Sequence, residues 1–135
     1  MSFRDLYECI KNRKVNNSQA REAIYEVFLR TEDCLCVSDI TRKLSEVYPR
    51  KISLNTIYRH LTLFVECGLV VVVQDDHKKA YYCLVSASAK TFELCTKCNR
   101  ISTIKNTKKL SAVLGNLAKN EYITIHRKCN NCDDN

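Results

Sequence analysis

Two short stretches hold residues whose type and spacing could do chemistry together: Leu94-Cys95-Thr96-Lys97-Cys98 and Lys128-Cys129-Asn130-Asn131-Cys132. Each contains Cys-x-x-Cys, a spacing that lets the chain turn tightly enough for both sulfurs to face one point. With 30 residues between Cys98 and Cys129, the two turns together offer four thiolates, the tetrahedral set that a structural zinc takes. The expected centre is one structural Zn²⁺ per chain on Cys95, Cys98, Cys129 and Cys132. A single Cys-x-x-Cys would suit a redox dithiol equally well. For the pair, two unrelated turns with free thiols, or two disulfides, are the alternatives. A closed four-sulfur site leaves the metal no position for a water, so nothing catalytic is implied and the chain reads as a non-enzyme.

A second set of chemically able residues lies on one helical stretch. Ser53 can cap a helix in which Leu54, Ile57, Leu61 and Phe64 point inward. Asn55, Thr56, Arg59 and Thr62 then project outward, and Tyr58 sits between the faces. Asn pairs with adenine, Arg with guanine or phosphate, and a Thr methyl or Tyr ring packs on the thymine methyl. The bland alternative is a solvated helix face in a module that binds only protein.

These residues need elements to position them. Phe3, Leu6, Tyr7 and Ile10 make one amphipathic stripe. Ser18 can cap a second helix with Ala20, Ile24, Val27 and Phe28 inward, and Ser38 a third with Ile40, Leu44, Val47 and Tyr48, stopped by Pro49. Gly68 ends the fourth helix as a C′ residue. Leu69–Gln74 and Ala80–Leu84 lack helical spacing and are rich in β-branched and aromatic residues, with Asp75–Lys79 joining them as a hairpin. Helices followed by a hairpin is the order of a winged helix-turn-helix, whose last helix enters the major groove. Val85–Ala89 reads as a hinge. Strands are expected at Thr91–Leu94, Arg100–Ile104 and Glu121–Arg127, with a helix on Leu110, Val113, Leu114 and Leu117. The expected class is α+β: a winged-helix domain over residues 1–85, a hinge over 86–90 and a small zinc-containing α/β domain over 91–135. So small a C-terminal core is marginal alone, and zinc and a partner subunit would supplement it.

Composition sets bounds. With 135 residues the chain suits one medium domain or two very small ones. No apolar run approaches the ~18 residues of a membrane span, and the polar, charged stretch from Met1 to Lys14 does not look like a signal peptide. A cytoplasmic protein without a membrane partner is expected. There, cysteines outside the zinc set (Cys9, Cys34, Cys36, Cys67 and Cys83) would bind metal or stay free. The net charge of +7 fits a nucleic-acid partner. It is unevenly placed, however: +2 over residues 1–85 and +5 over 86–135, of which four thiolates on one Zn²⁺ would cancel ~2.

From about Lys14 to Cys132 the chain resembles the ferric uptake regulator family of bacterial transcription factors. Ser53-Leu54-Asn55-Thr56-Ile57-Tyr58-Arg59-His60-Leu61 looks like that family's recognition helix, with its Thr-[Val/Ile]-Tyr-Arg-x-Leu core. Cys67-Gly68-Leu69-Val70 is similar to its entry to the wing, and Leu94–Cys98 to its first zinc turn, except that the usual following Gly is Asn99. The resemblance implies a homodimer paired through the C-terminal halves, with recognition helices and wings on a palindromic double-stranded operator. It places Asn55, Thr56, Tyr58 and Arg59 at the DNA. Lys14, Arg21, Lys78 and Lys79 are candidate phosphate contacts.

The departures concern regulation. Metal-sensing members carry a His-rich run where this chain has Ser88-Ala89-Lys90-Thr91-Phe92. The family's usual His before the third helix corresponds to Cys36, the acidic ligand at the end of the wing to Cys83, and a later carboxylate falls near Thr103. The usual Fe²⁺ or Mn²⁺ site therefore cannot be assembled, and a second, regulatory metal is left open. Cys36 and Cys83 remain as candidate regulatory thiols, with Cys34 nearby. They would take a soft ion or haem iron, oxidise to each other, or serve only as small buried residues. His60, His77 and His126 are expected to be solvated. Three functions compete: a dimeric DNA-binding regulator, a zinc-clipped protein-interaction module with weak DNA binding, and a thiol oxidoreductase. The last would need a low-pKa thiolate at a helix N-terminus, whereas both turns lead toward strands or the chain end.

Overall fold

A computed structural model describes residues 3–11, 13, 18–31, 34–85, 91–104, 117, 121–129 and 132. The expected helix over 110–117, the hinge over 86–90 and Lys14 lie outside the described residues, except for Leu117. Four helices come first: α1 (Phe3–Ile10), α2 (Gln19–Arg30), α3 (Val37–Val47) and α4 (Leu54–Glu66). Strands β1 (Val70–Gln74) and β2 (Ala80–Leu84) form an antiparallel hairpin. Strands β3 (Thr91–Cys95), β4 (Ile101–Ile104) and β5 (Ile123–Arg127) form a second sheet in the order β4-β3-β5, with β3 antiparallel to β4 and parallel to β5. Among the described residues no helix is long and apolar enough to cross a membrane. The α+β architecture expected from the sequence is the one observed.

Local chemistry explains where the helices begin and end. The Ser18 hydroxyl accepts from the Arg21 N–H at 3.1 Å and opens α2, and Ser53 does the same for α4 through Thr56 at 3.3 Å. α3 is capped two residues before the expected Ser38. Its N-cap is Cys36, because the Asp39 carboxylate reaches back to accept from the Cys36 N–H at 3.3 Å. α4 closes in a Schellman turn: Leu69 N–H donates to Phe64 O and Gly68 N–H to Val65 O, both at 3.0 Å, with Gly68 at φ 76°. A Cβ at Gly68 would oppose that left-handed backbone.

The helical core is built on Leu6, Ile24, Tyr25, Phe28, Ile40, Ile57, Leu61 and Phe64. The inward stripe of α4 is Ile57, His60, Leu61 and Phe64. Leu54, expected inward, is the first residue of α4 and is 57% exposed. Leu35 bridges Tyr82 in antiparallel pairing, which joins the segment before α3 to the edge of the hairpin. Both faces of that hairpin are covered. Val70 and Leu84 pack on the helices, whereas Val71, Val73 and Cys83 pack in a second core with Phe92, Leu94 and Ile101. A strand buried on both faces needs no polar alternation, which accounts for the unbroken run from Val70 to Val73.

Candidate metal centre and nucleic-acid interface

The sheet brings the two Cys-x-x-Cys turns together. β3 runs into Cys95, and its parallel neighbour β5 runs in the same direction, with Cys95 in register with Arg127. Both strands therefore deliver their cysteines to one end of the sheet. The first turn closes with Asn99 N–H donating to Cys95 O at 2.9 Å and Cys95 N–H to Arg100 O at 2.9 Å. Asn99 stands at φ 62°. The family's usual glycine here has its reason in that backbone, and Asn is the residue that most readily replaces it in the left-handed region. The second turn closes with Cys132 N–H donating to Cys129 O at 2.9 Å.

The Sγ atoms of Cys95, Cys98, Cys129 and Cys132 all lie within 4.8 Å of one another, and those of Cys98 and Cys129 are 3.8 Å apart. A tetrahedron with Zn–S bonds near 2.3 Å has edges of about 3.8 Å, so the donor set fits the ion in both type and spacing. Cys95 Sγ accepts from the N–H groups of Lys97 and Cys98 at 3.4 Å and of Cys129 at 3.3 Å. Those donors stabilise a thiolate and pull the Cys95 pKa down to about 6. Cys132 is pushed up to about 12, first by its hydrogen bond with the Cys129 side chain. Four thiols this close cannot all ionise unaided, and a divalent cation with affinity for sulfur relieves the conflict. Among the described residues this is the one cluster of His, Cys, Asp or Glu able to hold a metal.

The remaining cysteines are arranged differently from expectation. Cys34 and Cys83 form a disulfide, as do Cys9 and Cys67, and Cys36 is a buried free thiol. Cys83 is thus partnered by Cys34, not by Cys36. The Leu35–Tyr82 bridge sets Cys34 directly across from Cys83 at a Cα–Cα distance of 4.4 Å, the spacing of a non-hydrogen-bonded antiparallel pair. The Cys36 thiol donates instead to the Asp39 carboxylate at 3.1 Å. Cys9 and Cys67 meet at a Cα–Cα distance of 5.6 Å and tie α1 to the C-cap of α4. The alternation Cys34-Leu35-Cys36 was a signal that both sulfurs share one side of a strand; nothing in the sequence pointed to Cys9 and Cys67.

On α4, Asn55, Arg59 and Thr62 are exposed and Tyr58 is 48% exposed. Thr56 is half-buried, and its hydroxyl lies 2.9 Å from that of Ser53, within the cap. The single acid of α4 is Glu66 in its last turn, held by Arg13 at 2.9 Å. Arg50 and Lys51 precede the helix and are exposed. In the hairpin turn, Asp75 Oδ1 accepts from the N–H groups of His77 at 2.8 Å and Lys79 at 2.9 Å, leaving both lysine side chains outward. Two expected solvent-facing residues are buried. Arg21 is 7% exposed and His60 3%, so Arg21 does not present itself as a phosphate contact. Burial, and then the nearby charges of Arg21 and Arg59, lower the His60 pKa to about 4.

The model of the ferric uptake regulator family matches residues 12–132. The chain belongs to the ferric uptake regulator family. The ferric uptake regulation protein of Staphylococcus aureus is 23% identical and covers 99% of this chain and 100% of its own length. Among solved structures, the Helicobacter pylori ferric uptake regulator superposes with a TM-score of 0.74 at 19% identity, over 98% of this chain and 92% of that one. The Campylobacter jejuni peroxide stress regulator does so with a TM-score of 0.63 at 24% identity, over 83% and 87%. As a member of that family the chain is a regulator.

Proposed function

We propose that this family member is a homodimeric, sequence-specific DNA-binding transcriptional regulator with one structural Zn²⁺ per chain on Cys95, Cys98, Cys129 and Cys132. Its C-terminal sheet would serve dimerisation, and it would lack the family's usual Fe²⁺ or Mn²⁺ site. Asn55, Tyr58 and Arg59 would read the operator, with Thr56 supporting the cap. The observation that carries this reading is the face of α4, with polar and cationic side chains exposed and no acid until Glu66, followed in the chain by a hairpin turn with exposed Lys78 and Lys79. The half-buried Ile123 and Ile125 of β5 favour a covering partner subunit. The absence of that site is supported by Phe92 and Cys83, both fully buried, neither offering an oxygen or nitrogen ligand, and by Cys83 being bonded to Cys34.

The test is a salt-dependent gel shift with the host's own promoter fragments, together with zinc content per chain on protein purified without air. Sequence-specific binding that falls steeply with salt and one zinc per chain are expected. Loss of binding in Arg59→Ala and Tyr58→Ala together would assign α4 as the reader. Intact binding in both would favour a different DNA-contacting surface, and no binding by the unaltered protein would favour the interaction module. A second reading, thiol-oxidation control, is favoured by the juxtaposition of Cys34 and Cys83 at the wing.

A further inference from the structure

The wing's outward face is not free. Val71, Val73, Cys83 and Val85 share one core with Phe92, Leu94 and Ile101, across the segment 86–90. Phe92, Leu94 and Cys83 have no exposed surface at all. Tyr122, just before β5, closes this core from the side. Its ring meets that of Phe92 edge-on with centroids 5.8 Å apart, and its hydroxyl donates to Val72 O of β1 at 2.9 Å. Cys34 and Cys83 in this core are bonded to each other, and among the described residues no group of three or more His, Cys, Asp or Glu able to hold a metal lies at it.

We propose that Phe92 and Tyr122 are positioning residues of an apolar clasp. The clasp fixes the wing, and with it α4, against the C-terminal sheet, so that the DNA-competent arrangement is held by packing with no second metal ion. The physical logic is that of a closed two-state element. Opening would expose Phe92, Leu94, Val71 and Val73 to water, so the closed state is favoured without a ligand. A metal that meets no ligands in the joint has no differential affinity for the two states and shifts nothing. Tyr122 contributes direction as well as area. A ring alone could slide on Phe92, whereas the bond to Val72 O holds one register between the two sheets.

The proposal rests on the DNA-binding reading for one of its two readouts only. The first readout is hydrogen exchange by mass spectrometry across a denaturant series, on the full-length zinc-loaded protein. Peptides from residues 19–66 and 91–104 should lose protection at one common midpoint in the unaltered chain. In Phe92→Ala the midpoints should separate while zinc content and dimer mass stay unchanged, and Phe92→Leu should restore the common midpoint. A shared midpoint in Phe92→Ala, or separate midpoints in the unaltered protein, would overturn the clasp even if no operator were ever found. The second readout is affinity for a bound promoter fragment. Adding Mn²⁺, Fe²⁺ or Zn²⁺ to the zinc-loaded protein should change it by less than about twofold. Phe92→Ala should weaken it by at least roughly tenfold, as expected if fewer than about one molecule in ten stays closed. Should Phe92→Ala fail to fold, Tyr122→Phe keeps the ring and deletes one hydrogen bond, and should weaken DNA binding roughly 2- to 10-fold. Saturable activation by a divalent metal, or unaltered affinity in Tyr122→Phe and Phe92→Ala alike, would refute the proposal.

Discussion

His60 shows how one residue can be misjudged from its neighbours in sequence. It stands on a helix between exposed Arg59 and buried Leu61, and a helical histidine beside an arginine reads as solvated. The three-dimensional fact is that its position completes the Ile57, Leu61, Phe64 stripe, so the ring is taken into the core. There it meets the positive charges of Arg21 from α2 and Arg59 from α4, and its Nε2 makes no hydrogen bond. The depressed pKa, about 4 against 6.5, has a defined consequence for stability. Below pH 6.5 the unfolded chain takes up a proton at His60 that the folded chain refuses until pH falls to about 4. Stability is therefore lost progressively as pH drops from 6.5 to 4, by up to ~3 kcal/mol, and is fully present above pH 6.5. Thermal melts of His60→Leu should fall less steeply than those of the unaltered protein across that window. Parallel curves would show that His60 is not proton-linked to folding. At the same scale, Arg59→Ala should weaken operator binding by about 1–3 kcal/mol if its guanidinium reads a base. A duplex altered at that base should then bind both proteins equally, a comparison that gel shifts can make directly.

At the scale of elements, most of the chain was legible, and the reasons are specific. Ser18, Ser53 and Gly68 mark helix ends through backbone hydrogen bonds that depend on their own side chains or lack of one, so local sequence suffices. The strands β1 to β5 follow from short runs rich in β-branched or aromatic residues without helical spacing. Two errors arose where the deciding contact is not local to the expected signal. α3 is capped at Cys36 and not at Ser38, because the Asp39 carboxylate reaches back to accept from the Cys36 N–H. Cys83 found Cys34 because the Leu35–Tyr82 bridge sets the register, and register between segments 47 residues apart cannot be read from either. The caps give a test at this scale. Ser53→Ala removes the acceptor for Thr56 N–H and should cost ~1 kcal/mol of stability. Because the same turn carries Asn55 and Tyr58, DNA affinity should fall further than a global stability loss would cause. A denaturant melt alongside a gel shift separates the two, and a lost melt with unchanged affinity would detach the cap from recognition. The disulfides are checkable in the same way. Alkylation of the metal-stripped, unfolded protein without reductant should modify five cysteines, the four of the metal cluster and Cys36.

For the whole molecule, the question is what keeps a C-terminal sheet with so few buried residues folded. Phe92, Leu94, Cys95 and Ile101 are its buried apolar members among the described residues, and Thr91 is buried with them. Three of these side chains are already shared with the wing, which leaves little core of the sheet's own. The far end, where β3 and β5 deliver their cysteines, has no hydrophobic closure: Cys98 is exposed and Cys129 and Cys132 are half-exposed. The Glu93–Arg127 ion pair at 2.7 Å ties β3 to β5, but Arg127 is largely in solvent, so the pair is worth little. The cysteine-bearing end of the sheet is therefore held largely by whatever joins the four sulfurs. With an ion bound there, its binding energy becomes folding energy for that end. Cys132→Ser leaves three donors and should lower zinc occupancy, loosen the turn after β5 and release the dimer. The wing end, packed on Phe92, should keep its hydrogen-exchange protection. Size-exclusion mass and metal content of Cys132→Ser report the first outcome, and peptides from residues 70–85 report the second. A Cys132→Ser protein that remained dimeric with one zinc per chain would show that the fourth sulfur is dispensable and that the sheet is closed by something other than the metal.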